Sequence, residues 1–585
     1  MDLRNIHSPA DIKSMNYNEL NELAKDLRSA LLTKLSRHGG HCGPNLGMVE
    51  ATVALHYVFD APKDQIVFDV SHQSYVHKML TGRIEAFISP EHYNDITGYT
   101  SPDESEYDLF EIGHTSTSIA LAAGLAKARD IEGGKQNVIA VIGDGAMSGG
   151  EAFEGLDLGA TFKSGFIVVV NDNQMSIAEN HGGIYENLAL LRETNGQAPL
   201  NLFKALGYDY LYIKDGNDIE SLVKGFESVR GTDHPVVVHI NTQKGEGYAP
   251  AEADRERFHF SAPFDLKTGN LLVQPTGNNY SDLTANFMLQ KMKENPAVIG
   301  MTAATPGVFG FTPERRAEAG RQFVDVGIAE QLATGMASGI AKNGGRPVFM
   351  VVSSFLQRAY DQVAQDVCIN RQPVVFDVFY GGLFGMNDVT HIGFFDIAVF
   401  SNIPNLVFLA PTCVEEYTAM LDWAIRQTEH PVLVRVPVSK FVVTGRAFPS
   451  DYGRLNTFDV RHRGSQVAII GAGAFFDRAA QACGLLKEKG IDATLINPRY
   501  LSGLDSETLD SLKSDHRLVV TLEDGILDGG YGQKIASYYG DTDMKVINRG
   551  LAKEFIDGFK GADVARAQRL DPDQIAADIL AALAR

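Results

Sequence analysis

Asn137-Val-Ile-Ala-Val-Ile-Gly-Asp144-Gly-Ala-Met and Gly165-Phe-Ile-Val-Val-Val-Asn171-Asp172-Asn173-Gln-Met175-Ser are two apolar runs, each ending in a polar cluster. Unbroken Val/Ile runs are what a parallel strand buried on both faces requires, whereas a half-exposed strand alternates. The segment between them, Ser148 to Lys163, spaces its apolar and acidic positions as a helix does. A strand, helix, strand unit of this kind belongs to an α/β protein, and it puts both clusters at strand carboxyl ends. Ligands bind at that edge in open α/β sheets, because loops converge there and helix amino termini aim N–H groups at anions. Asp144 and Asn173 offer a carboxylate and an amide oxygen, hard ligands of the kind Mg²⁺ takes, and they leave coordination positions for phosphate oxygens. Gly143 and Gly145 allow close backbone approach. Either cluster alone reads as an ordinary turn. Together at neighbouring strand ends they point to a diphosphate and Mg²⁺ site.

The chain has 585 residues, more than one core accommodates, and its length predicts three or four domains. With 44% apolar and 21% charged residues it has the composition of a globular protein. A formal net charge of −21 disfavours nonspecific binding to nucleic acid or an anionic membrane. Cys42, Cys368, Cys413 and Cys483 are scattered, with no metal-ligand spacing, and read as reduced thiols of a cytoplasmic protein. The polar start, Met1-Asp-Leu-Arg-Asn-Ile-His, lacks the apolar core of a secretory signal, and no apolar run is long enough to span a membrane.

Residues 1–248 read as a first α/β domain, opened by an amphipathic helix from Tyr17 to Arg37. His41 lies in a turn-rich stretch, and His72 follows the short strand Gln65-Ile-Val-Phe-Asp-Val70. Gly113-His114-Thr115 looks like a second strand-end histidine, placed to donate to a phosphate oxygen. Residues 249–280, polar and rich in Pro, Gly and Asn, read as a linker. A second α/β domain spans 281–450, with Glu330 ahead of an Ala/Gly-rich helix from Leu332 to Lys342. A carboxylate buried there carries a raised pKa unless paired. A third domain, 455–585, shows four candidate strands: 466–471, 493–497, 517–522 and 544–547.

Gly143-Asp144-Gly145 followed by Asn173, 29 residues beyond Asp144, resembles the thiamine diphosphate motif of transketolase-like enzymes. The wider wording, Ile142-Gly-Asp-Gly-Ala-Met-Ser and Asn171-Asp-Asn-Gln-Met-Ser-Ile-Ala-Glu-Asn180, resembles the 1-deoxy-D-xylulose-5-phosphate synthase family, and the likeness runs along nearly the whole chain. It implies two thiamine diphosphate-binding folds and a transketolase C-terminal-like domain, three doubly wound domains in all. It further implies a homodimer and a role in isoprenoid biosynthesis.

Residue by residue, the resemblance implies that His72, Gly113, His114, Thr115, Gly145, Ala146, Asn173 and Tyr248 contact the coenzyme. Asp144, Asn173 and the Met175 carbonyl would bind Mg²⁺. Glu330 matches the glutamate that activates the coenzyme through its aminopyrimidine ring, Phe355 the aromatic that stacks on that ring, and Arg358 an arginine that meets the substrate carboxylate. His41, His259 and His391 are the implied proton carriers.

The chain departs from the family where an acceptor phosphate is gripped: Tyr380 and Val438 stand in place of two arginines, Asn387 in place of an aspartate and Val352 in place of a tyrosine. The segment 182–202 is shorter than the mobile excursion of typical members. The implied reaction decarboxylates pyruvate and adds the two-carbon unit to glyceraldehyde 3-phosphate. The alternatives are a related carboligase with another aldehyde, a transketolase moving a ketol unit, and a noncatalytic binding protein.

Overall fold

The computed structural model describes residues 1–274, 278–438 and 440–584. Three sheets, each flanked by helices, carry an α/β architecture. The first sheet orders its strands β1-β2-β3-β5-β4, where β1 is Gln65–Phe68, β2 Val138–Gly143, β3 Phe166–Asp172, β4 Asp209–Ile213 and β5 Pro235–Asn241. All its pairings are parallel, and Gly143 lies level with Asn171 across β2 and β3. Every residue of β3 is buried, as its unbroken apolar run requires. Asp144 and Asn173 are therefore the first residues past two adjacent strand tips, as expected.

The chain forms two compact units, Met1–Pro275 with Val326–Ala329, and Thr276–Asp325 with Glu330–Arg585. In the first, the opening helix runs Tyr17–His38, its free N–H groups met by Asn16 in a reciprocal capping box with Glu19. The helix expected over 148–163 is shorter, Gly150–Gly159, because a 3₁₀ turn, Asp144–Ser148, intervenes. The polar stretch 249–280 is not a plain linker. Its aromatic residues Phe258 and Phe264 are fully buried against Tyr248, and Gly40 and Ser261 exchange backbone hydrogen bonds of 2.9 Å. Composition concealed this, since two aromatic anchors outweigh their polar neighbours. Positions 275–277 of that stretch lie outside the described residues.

The second unit holds two sheets. One is ordered β10-β11-β9-β8-β6-β7, from β6 Val298–Thr302, β7 Phe323–Asp325, β8 Arg346–Val352, β9 Val375–Phe379, β10 Val407–Leu409 and β11 Val432–Arg435, all parallel. The other is ordered β12-β14-β13-β15-β16, from β12 Asp459–His462, β13 Gln466–Gly471, β14 Thr494–Asn497, β15 His516–Ile526 and β16 Lys545–Leu551. The four expected strands of this sheet form, and β12 joins them antiparallel at the edge. Asp-Val-Arg-His has no apolar run to announce it.

The two sheets of this unit are joined by a buried ion triad. Arg435, at the end of β11, donates to Asp396 at 2.6 and 3.2 Å and to Asp524 at 2.6 Å. Replacing one member of such a cluster leaves its partners as uncompensated buried charge. Arg435→Leu is expected to cost about 3–5 kcal/mol, read as a lower urea midpoint with the slope unchanged. A shift within error would mean the triad is not holding the sheets together.

Candidate active site

In the first unit, the turn after β2 is packed so tightly that a Cβ on Gly145 would fall 2.8 Å from the Ser176 Cα. Only glycine fits. Gly143 has no such neighbour, so its expected steric need is not met by the protein itself. Asp144 is buried, one carboxylate oxygen accepting from Asn180 Nδ2 at 2.8 Å and the other making no hydrogen bond among the described residues. Burial, with the nearby Asp172 carboxylate, pushes its pKa up to about 8. A carboxylate so placed is disfavoured until a cation joins it. Among the described residues no three His, Cys, Asp or Glu side chains gather as a metal centre. A cation here therefore needs further oxygens, as Mg²⁺ takes from phosphates and water. Asn173 Oδ1 accepts from Met175 N at 3.2 Å, an Asx turn that sets both residues at the tip of β3.

His41, His72 and His259 form one cluster, with ring centroids 5.0, 5.2 and 5.7 Å apart. Desolvation first, then Lys244 and the two other imidazoles, holds His259 well below the usual histidine pKa. Asn45, fully buried, donates to the carbonyls of His41 at 2.9 Å and His72 at 2.6 Å, and so fixes the two loops together. Nothing in the sequence pattern marks it beyond its place in a short Gly/Pro-rich helix.

Of the three histidines expected at strand-end loops, only His72 follows a strand. His41 precedes the short helix Gly43–Gly47, and His114 precedes the helix Ser118–Glu132, with no strand before it. Two N–H groups at the start of that second helix, Ser116 N and Ser118 N, donate to the Asp69 carboxylate at 2.8 and 2.9 Å. The protein thus occupies part of the anion site expected there. Ser116 Oγ also donates to the Ala146 carbonyl at 2.7 Å, tying the Gly113-His114-Thr115 loop to the turn after β2. Tyr248, expected to meet the coenzyme, donates its hydroxyl to the Leu266 carbonyl at 3.1 Å and packs on Phe258 and Phe264.

Lys244 carries no signal in the sequence pattern beyond its position just past the end of β5. It is wholly buried, donates to the Ser176 carbonyl at 2.6 Å, and burial lowers its pKa to about 7 although Asp144 opposes the shift. Desolvation works against its charged form, and the Asp144 carboxylate favours it.

In the second unit Glu330 is the first residue of the helix Glu330–Lys342 and is 3% exposed. Burial raises its pKa, and Arg358, 3.5 Å away, opposes that. Arg358, expected to meet a substrate carboxylate, is thus also a partner of Glu330. Phe355 faces His391 edge-on at 5.3 Å. The Nδ1 atom of His391 lies 2.8 Å from Asp388 Oδ1, which orients the ring. The tips of β8, β9 and β11 end in or lead to Val352, Tyr380 and Val438, all uncharged.

Comparison with known proteins places this arrangement. Residues 3–198 match the family described as 1-deoxy-D-xylulose-5-phosphate synthase, 277–442 the transketolase pyrimidine binding domain, and 457–575 the transketolase C-terminal domain. Folds and domains of this kind define the transketolase class of thiamine diphosphate and Mg²⁺ dependent transferases. The 1-deoxy-D-xylulose-5-phosphate synthase of Clostridium acetobutylicum is 39% identical, covering 95% of each chain. That of Symbiobacterium thermophilum is 40% identical over 98% of this chain and 94% of its own. The chain belongs to the 1-deoxy-D-xylulose-5-phosphate synthase family. A solved split-gene transketolase, an inactive β4 tetramer, is 21% identical with a TM-score of 0.47, covering 53% of this chain and 99% of its own. No helix among the described residues is long and apolar enough to cross a membrane.

Proposed function

We propose that the protein acts as a 1-deoxy-D-xylulose-5-phosphate synthase, decarboxylating pyruvate and joining the two remaining carbons to glyceraldehyde 3-phosphate. The observation that carries this is the buried, unshared oxygen of Asp144 one residue past β2, beside Asn173 one residue past β3. Asp144, Asn173 and the Met175 carbonyl would hold Mg²⁺. His72, His114, Gly113, Thr115, Gly145 and Ala146 would line the diphosphate, with Lys244 adding positive charge. When bound, thiamine diphosphate supplies the electron sink for the carbon that loses carbon dioxide.

The protein's share is orientation and proton management. Glu330, whose pKa burial raises, would hydrogen-bond the coenzyme's pyrimidine ring, and Phe355 would pack against that ring. His259, held neutral by burial, would offer a ring nitrogen as a hydrogen-bonding group, and His41, His259 and His391 are the candidate proton carriers. Arg358 offers a planar fork suited to a carboxylate. A cytoplasmic homodimer completes the reading.

A second reading keeps the donor chemistry but takes an unphosphorylated aldehyde. It is favoured by the uncharged residues at the tips of β8, β9 and β11. Arg435, the nearest guanidinium in sequence, is consumed by Asp396 and Asp524. Asn387 donates its amide to the Phe559 carbonyl at 3.1 Å. One assay separates the two: carboxyl-labelled pyruvate, thiamine diphosphate and Mg²⁺ with a panel of aldehydes, following carbon dioxide and ketose. Release driven by glyceraldehyde 3-phosphate is the expected result. Release driven only by an uncharged aldehyde selects the second reading, and no release with any aldehyde rejects both.

A further inference from the structure

The shortened segment after Asn180 is a folded helix, Gly183–Glu193, with Leu188 and Leu191 buried in the core of the first unit. Each of the two strand tips that carry Asp144 and Asn173 receives side chains from this segment or its lead-in. At the β2 tip, Asn180 donates to Asp144 at 2.8 Å, and the Tyr185 hydroxyl donates to the Gly145 carbonyl at 3.2 Å. At the β3 tip, Arg192 donates to the buried Asp172, the residue immediately before Asn173. The same Asp172 oxygen is met by His239 Nε2 at 2.9 Å, and the other ring nitrogen of His239 lies 2.7 Å from the Tyr210 hydroxyl. The helix is also latched at its far side, where Asn187 bonds the Leu200 carbonyl at 3.0 Å and the Leu202 N–H at 3.1 Å.

We propose that this helix is a standing brace, with Arg192 as a positioning residue that holds the Asn173 loop through Asp172, so that the Mg²⁺-diphosphate cradle exists before the coenzyme arrives. The inference rests on Asp144 and Asn173 being the cation ligands. The chemistry is that of an outer shell. Groups behind metal ligands fix their orientation, and losing one usually costs metal affinity without touching the reacting atoms. Arg192 suits the task because its guanidinium is always charged and meets a carboxylate with directed bonds. A brace made from side chains of one short helix leaves no long free excursion to order on binding, so that entropy cost is absent.

The test is calorimetric titration of thiamine diphosphate at limiting and at saturating Mg²⁺, for the wild type, Arg192→Gln, Arg192→Lys and, as a control on the ligand assignment, Asp144→Asn. Arg192→Gln is expected to weaken coenzyme binding about 10–100-fold at limiting Mg²⁺ and to recover at saturating Mg²⁺, with KM for pyruvate unchanged. Arg192→Lys should fall between it and the wild type. A generally loosened fold would not be rescued by the cation. If Arg192→Gln binds like the wild type while Asp144→Asn does not, the brace is refuted and the ligand assignment stands. If neither variant differs from the wild type, the ligand assignment itself fails and the brace with it. Hydrogen exchange on the unaltered protein gives an independent reading, since amides of 183–193 should be as protected without coenzyme as with it. Protection that appears only on binding would overturn the proposal.

Discussion

Glu330→Gln should lower kcat by about 10²–10⁴-fold, the usual worth of a positioned acid or base, while thiamine diphosphate binds nearly as before. The substitution keeps size, shape and burial, and removes only the ability to hold or release a proton. Burial raises the pKa of Glu330 from its ordinary 4.5, with Arg358 as partial counterweight, so the fold shifts this group toward its neutral acid form. The sign of the pH effect on stability follows. An acid whose folded pKa is raised binds its proton more tightly in the native state, so its contribution is full below pH 4.5 and is lost as pH rises through the folded value. The glutamine variant should lack that loss. Steady-state kinetics, coenzyme titration and urea unfolding at several pH values check the three parts. A variant that turns over at the wild-type rate would remove Glu330 from the mechanism.

The second large effect is expected for Asp144→Ala, which should abolish Mg²⁺-dependent stabilisation by the coenzyme. One carboxylate oxygen is fixed by Asn180 and the other makes no hydrogen bond among the described residues, so this side chain is oriented yet unsatisfied. Burying an unpaired carboxylate costs free energy, and the coupling to a cation offsets it. Without ligand the variant should therefore be at least as stable as the wild type. With Mg²⁺ and coenzyme the wild type should gain several degrees in Tm, as binding to the native state alone requires, while the variant gains none. Equal gains would show that the cation is held elsewhere.

Much of the fold and part of the candidate site's placement are legible in the amino-acid sequence. The β2 and β3 runs announce buried parallel strands because Val and Ile fill nearly every position, and a strand buried on both faces tolerates little else. That alone places Asp144 and Asn173 side by side. Glu330 is readable because a helix rich in Ala and Gly packs closely and buries its first residue.

The features that sequence conceals depend on contacts between distant positions. Asn45 matters because it reaches two carbonyls, one 27 residues away, and no periodicity encodes that. Ser116 and Asp69 look like loop polarity, yet a backbone N–H of one meets the carboxylate of the other. Lys244 has no mark in the sequence, yet it is buried and reaches the Ser176 carbonyl, 68 residues away. The motif that contains Tyr248 likewise says nothing of the Leu266 carbonyl that accepts from its hydroxyl. The stretch 249–280 looks like a linker for a related reason, with Phe258 and Phe264 outvoted by polar neighbours.

The most direct test is calorimetry of the unaltered protein titrated with thiamine diphosphate, once with Mg²⁺ and once with the cation chelated. The account predicts saturable uptake of one coenzyme per chain with Mg²⁺ and a loss of most affinity without it. No uptake in the presence of Mg²⁺, or uptake indifferent to the cation, would contradict it.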